Sequence, residues 1–196
     1  MTKNLMTPFG VANWPALNRA DRKFATNDND PGSYKVDLVV SQEEAQAFIQ
    51  KAEAVWKATQ KDRGLAKRRG DAPWFEEVDE DTGEPTGNWI IRLKQKEFRR
   101  TKQGNIPNKI VLIDAHKQPM SEVVGGGSEI RAQVLPYVWE AQGRCGITLQ
   151  PLVVQVRKLV EGTFGGASVD AFDEVDGFET VGASEAVEEA DGTEDF

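Results

Sequence analysis

Five stretches of this chain read as β-strands and only one as a helix, and that ratio commits it to a sheet-dominated fold. In "YKVDLVV" the side chains of Tyr34, Val36, Leu38 and Val40 share one face, and Lys35 and Asp37 share the other. Such alternation makes a half-buried strand. In "WIIRLKQKEF" Ile91 and Leu93 point one way, and Arg92, Lys94, Lys96 and Phe98 the other. "KIVLID" is apolar on both faces. "EIRAQVLPYVW" alternates Ile130, Ala132 and Val134 with Arg131, Gln133 and Leu135, and "GITLQPLVVQVRKL" supplies a last strand with Pro151 marking an edge or a bulge. The one helix opens on Ser41, with Glu44 three residues on as a capping partner. Ala45, Phe48, Ile49, Ala52, Val55 and Trp56 follow at helical steps as far as Gly64. Four to five strands and one helix predict a small β-barrel. Residues before about Gly32, rich in turn formers and carrying Pro8 and Pro15, predict an irregular N-terminal arm.

Charge is partitioned along the chain. The formal net charge is −8, yet the eleven acids from Asp170 onward stand without a single base, leaving 21 acids against all 24 bases in the body. A body of +3 therefore carries a tail of −11, whose composition is that of a disordered segment. The basic surplus is concentrated further. Between Arg92 and Lys117 eight bases face only Glu97 and Asp114.

Catalytic chemistry finds little support. His116 is the only histidine and sits in a turn-like "AHKQP"; Cys145 is the only cysteine, so neither a disulfide framework nor a zinc cluster can be assembled. "VVGGGSEI" lacks the Lys-Ser/Thr end of a phosphate-binding loop and leads into a strand. The expectation is a non-enzymatic chain with no cofactor and no metal. With no apolar run long enough for a membrane span or a signal peptide, it is expected in a reducing cytoplasm.

Binding is better supported. Arg92, Lys94 and Lys96 on one strand face stand about 7 Å apart, close to the phosphate spacing of an extended single strand. A row of like charges burdens a sheet unless an anion meets it. Arg99, Arg100, Lys102 and Lys109 extend the row, and Arg131 lies on the outer face of the "AQVL" strand. Tyr137 and Trp139 share that outer face, and Phe98 follows the basic strand. A cationic groove beside exposed rings is how single-stranded nucleic acid is held without reading its sequence. Core packing accounts better for Trp56 and Trp89. Two other classes compete: an RNA chaperone of cold-shock type, and an acidic mimic of DNA that binds a basic partner.

The blocks "YKVDL", "APWF", "VVGGGSEIRAQVLPYVW" and "GITLQPLVVQVRKLVEGTFGG", with an acidic terminus closing on "DF", resemble the single-stranded DNA-binding protein of short-tailed bacteriophages. The likeness runs from about Ser33 to Phe196 and is densest from Val123 onward. It implies an OB-fold domain over residues 1–168 with a capping helix, and a disordered acidic tail over residues 169–196. It implies sequence-tolerant single-stranded DNA binding in phage replication and recombination, a homodimer, and recruitment of the phage DNA polymerase and helicase-primase by the tail. By the resemblance Tyr137 and Arg92 touch DNA, and an aromatic of the family's central strand is replaced by Lys94 or displaced to Phe98. The tail residues that would dock on a partner are Asp191, Glu194, Asp195 and the terminal Phe196. Charge alone would serve solubility; the ring adds an apolar anchor.

Overall fold

Ser41 starts the helix as its spacing from Glu44 predicts. Its Oγ accepts the Glu44 backbone N–H at 3.4 Å while its hydroxyl donates to the Glu44 carboxylate at 2.8 Å, and helix α1 runs Gln42–Asp62. The helix buries Ala45, Phe48, Ala52 and Trp56, the face its periodicity predicts, against the sheet. Each of the two large rings contributes roughly 1.5–3 kcal/mol by leaving water. Trp56 meets the ring of Trp74 edge-on at 6.3 Å and donates its indole N–H to Cys145 Sγ at 3.3 Å, which gives the buried thiol a packing role.

The structure, a computed structural model, describes residues 4–27 and 30–162. Strands are β1 (Leu5–Met6), β2 (Gly10–Asp21), β3 (Ser33–Ser41), β4 (Trp74–Val78), β5 (Pro85–Lys96), β6 (Phe98–Thr101), β7 (Gly104–Pro107), β8 (Val111–Ile113), β9 (Glu129–Ala141) and β10 (Arg144–Lys158). Five of them close a ring. β2 pairs antiparallel with β3, β3 with β5, β5 parallel with β10 through Leu93 and Leu149, β10 antiparallel with β9, and β9 returns to β2 at Ile130 and Gly10. Taken in chain order, these five run first, second, third, fifth, fourth around the ring, the Greek-key closure of an OB-fold barrel. Closure removes the open edges that an eight-stranded sheet would otherwise expose. Val36, Leu38, Ile91, Leu93, Ile130, Val134, Leu149 and Val154 fill the interior, each with no exposed surface.

Two local devices set the register. The β9–β10 hairpin turns through Gln142 and Gly143, both at positive φ (51° and 70°), a two-residue turn whose twist matches its strands. The ladder slips between Pro151 and Val153, so Pro151 does mark a bulge.

The N-terminal segment departs from the expectation of an irregular arm. Residues 10–21 are the first strand of the barrel, and they contain a bulge: Asn13 pairs with Asp37 and Ala16 with Lys35, so Trp14 and Pro15 stand against Val36 alone. The basic connection "RRTKQGNIPN" is likewise ordered, as the β6–β7 hairpin. No helix among the described residues is long and apolar enough to cross a membrane. Residues 163–196, with the proposed boundary at 168/169 and the tail residues Asp191, Glu194, Asp195 and Phe196, lie outside the described residues.

Candidate nucleic-acid interface

Alternation along β5 does what its sequence predicts up to Lys96: Ile91, Leu93 and Gln95 are buried, and Arg92, Lys94 and Lys96 are exposed. Strand β3 lies beside it, and Lys35 is the direct cross-strand neighbour of Lys94. Two ammonium groups placed opposite each other oppose sheet formation. Lys35 is relieved by Asp21 of β2, whose carboxylate lies 2.5 Å from its Nζ, and this hydrogen bond holds the Asp21 carboxyl below its ordinary pKa. Lys94 has no such partner among the described residues.

The predicted bases therefore divide. Arg92 donates to both oxygens of Asp37, from Nε at 2.9 Å and from Nη2 at 2.7 Å, while its guanidinium covers the ring of Phe75 at 5.0 Å. Bonding to Asp37 raises its already high pKa, so it is a permanent cation with its charge half-spent. Arg100 reaches Asp30 at 3.4 Å. Among the described residues Lys94, Lys96, Arg99, Lys102 and Lys109 form no ion pair, and all five are exposed. These carry the charge available to an anion.

Three hollows adjoin along this surface. The largest, about 820 Å³, lies between the outer faces of β9 and β10 and the start of the β6–β7 hairpin, and is lined by Lys96, Phe98, Arg99, Arg100, Leu135 and Tyr137 among others. The next, about 270 Å³, shares Lys96 and contains Phe24, Lys35 and Lys94. The third, about 300 Å³, shares Lys35 and Lys94 and is closed by Trp14, Asp37 and Arg92. Shared lysines make the three a continuous path. A separate hollow of about 800 Å³ between β2 and the 123–126 loop includes Trp14 but none of the β5 cations.

Rings line this path. Tyr137 projects from β9 between buried Pro136 and Val138 with 51% of its surface exposed, and Phe98 is half-buried at the start of β6. Phe98 does not share the strand of Lys96, because the ladder breaks at Glu97, but it enters the same hollow.

Two residues predicted for this face lie elsewhere. Arg131 donates to Gln155 Oε1 at 2.9 Å and stacks on Phe9 at 4.6 Å, in a cluster that Arg157 completes from 4.2 Å. Trp139 donates its indole N–H to Thr148 Oγ1 at 3.1 Å and packs on Gly146, its cross-strand partner, where a Cβ would come within 2.1 Å of the ring. Both occupy the outer face of β9 as predicted, but neither lines the hollows. Lys102 sits in the β6–β7 turn, and Lys109 borders a cleft with Leu17 and Tyr34. Conversely, Trp14, Phe24 and Lys35 line the path without having been predicted to do so.

No family model matches this chain. In sequence it is 26% identical over 207 residues to the single-stranded DNA-binding protein of Escherichia phage T7, spanning 91% of this chain and 83% of that protein. In structure it is similar to gp2.5, the single-stranded DNA-binding protein encoded by bacteriophage T7, with a TM-score of 0.59 and 19% identity over 86% of this chain and 99% of the other. The single-stranded DNA-binding protein of bacteriophage Enc34, solved in complex with single-stranded DNA, gives a TM-score of 0.59 at 15% identity, covering 81% and 88% of the two chains. The likeness to phage proteins of this kind that the sequence motifs carry is therefore borne out. The fold is theirs, and the proteins it matches are binding proteins by name.

Proposed function

We propose, from this homology and the path described above, that the chain is a phage single-stranded DNA-binding protein that coats exposed strands during replication and recombination. The observation that carries the reading is the adjacency of cations without an ion pair among the described residues and an exposed ring: Lys96 and Arg99 share a hollow with Tyr137, and Lys94 lines the adjoining one. Phosphates lie along the cations and a base stacks on Tyr137, a contact that every base can make. Phe98 is the second ring of the same hollow. Arg92, Arg100, Lys102 and Lys109 add field around the groove.

The acidic tail is proposed to recruit the phage DNA polymerase and helicase-primase, with Phe196 as the apolar anchor and Asp191, Glu194 and Asp195 steering the approach. Tethered to the same chain, it is proposed to compete with DNA at high effective concentration. The same proposal has the chain at work as a homodimer in the host cytoplasm. A mobility shift with labelled single-stranded DNA, RNA and duplex at two salt concentrations tests the binding reading. Preference for single-stranded DNA supports it, equal or tighter binding to RNA favours a chaperone, and indifference to all three sinks it.

A further inference from the structure

We infer that Trp14 is a second base-stacking station, held at the far end of the lysine path from Tyr137 by a strained bulge in β2. The inference rests on the reading of this path as a single-stranded DNA site. Its own support is local. Trp14 has φ 51°, a left-handed conformation that disfavours a bulky side chain, and its successor Pro15 restricts it further. Strain of this kind persists only where the surroundings enforce it, and it gathers at functional sites. Here the surroundings are the bulge that sets Trp14 and Pro15 against Val36. The indole does not recover that cost by packing, for 78% of its surface is exposed. A core role would bury the ring, and a neutral surface position would not hold a tryptophan left-handed.

Position supplies the ligand class. Trp14 closes the hollow that holds Lys35, Arg92 and Lys94, so its ring is set beside cations. Lys94 leads to Lys96, and Lys96 to the hollow of Tyr137. From Arg92 to Lys96 the strand advances four residues, about 13 Å. An extended strand with one base on Tyr137 and another on Trp14 would run its phosphates over Lys96 and Lys94 between them. Two stacks spaced along one backbone fix the strand to the whole face, where a single ring would hold only one nucleotide.

Trp14→Gly separates function from structure, because glycine accepts the left-handed conformation that strains tryptophan. The variant should unfold at the same temperature as the wild type or higher, while its affinity for oligothymidylate falls about 5- to 150-fold, the range for losing one base stack. Trp14→Phe should bind within a few-fold of wild type but lose most of the tryptophan quenching that DNA produces, since Trp56 and Trp74 are buried, Trp89 is packed against the core and Trp139 is packed on Gly146. Unchanged affinity in Trp14→Gly, or undiminished quenching in Trp14→Phe, would overturn the inference while leaving the binding reading intact. Failure of the wild type itself to bind would remove the binding reading first.

Discussion

Replacing Asp37 by Asn should tighten single-stranded DNA binding, although it breaks a well-formed ion pair. Asp37 is the cross-strand neighbour of Arg92 and binds it through both oxygens, and its side chain is 16% exposed against 52% for Arg92. The carboxylate thus lies on the floor of the hollow shared by Trp14 and Lys94, where a phosphate would pass. At about 7 Å from such a phosphate, a carboxylate repels it by roughly 0.6 kcal/mol in a water-like dielectric and by more near the protein surface. Screening at about 0.1 M salt reduces this, leaving roughly 0.5–1 kcal/mol, or a 2- to 5-fold gain in affinity. A second effect is independent of that estimate. Arg92, released from Asp37, becomes a further phosphate partner, and the log–log salt slope should steepen by about 0.7. The asparagine carbonyl still accepts one Arg92 hydrogen bond, so folding stability should fall by less than about 1 kcal/mol. Fluorescence anisotropy with labelled oligothymidylate across a salt series measures both effects, and Glu80→Gln, in the exposed β4–β5 turn, is the control for a charge change outside the groove. Weaker binding by Asp37→Asn with an unchanged slope would refute the idea that Asp37 holds Arg92 back from DNA.

Other outcomes follow from the same geometry. Tyr137→Ala should lose about 5- to 150-fold in affinity while Tyr137→Phe stays near wild type, since the exposed ring and not its hydroxyl is used. Gly146→Ala should destabilise the barrel by about 1–3 kcal/mol, read as a lower melting temperature, because its methyl would collide with Trp139. Arg157 holds the Glu129 carboxyl below its ordinary value of 4.5, so the stability this pair adds is present above that pH and lost as pH falls through the lowered folded value. Glu129→Gln should accordingly lower the melting temperature slightly at neutral pH and converge on the wild type in acid, which flattens the acid limb of melting temperature against pH. Deleting residues 176–196 should strengthen DNA binding, whereas Phe196→Ala should weaken binding to a polymerase or helicase-primase and leave DNA affinity nearly unchanged; a tail-deleted chain that binds DNA more weakly would contradict competition by the tail.

Period and capping were legible wherever the ladder is regular. Strands β3, β5, β9 and β10 and helix α1 follow from alternation and from Ser41. Strand β2 was not legible, because the extra residue at Trp14–Pro15 shifts its buried positions from Gly10 and Ala12 to Leu17, a second irregularity between Ala16 and Asp21 shifts them again to Ala20, and no single period of two fits the strand. The same bulge concealed Trp14 as a groove residue; a tryptophan followed by proline between two alternating runs was the signal available. Alternation placed Arg131 and Trp139 on the correct face of β9 but not at the correct place along it. Arg131 lies six residues from Tyr137, about 20 Å along the strand. Which cations remain free was also hidden, since Asp37 finds Arg92 across 55 positions of sequence and Asp30 finds Arg100 across 70.

The most direct test of the account is the salt dependence of single-stranded DNA affinity in the full chain. The five cations that form no ion pair among the described residues, Lys94, Lys96, Arg99, Lys102 and Lys109, at about 0.7 per neutralised phosphate predict a log–log slope of roughly −3 to −4, nearly the same for each homopolymer. A slope near zero, or duplex bound as tightly as single strand, would contradict it.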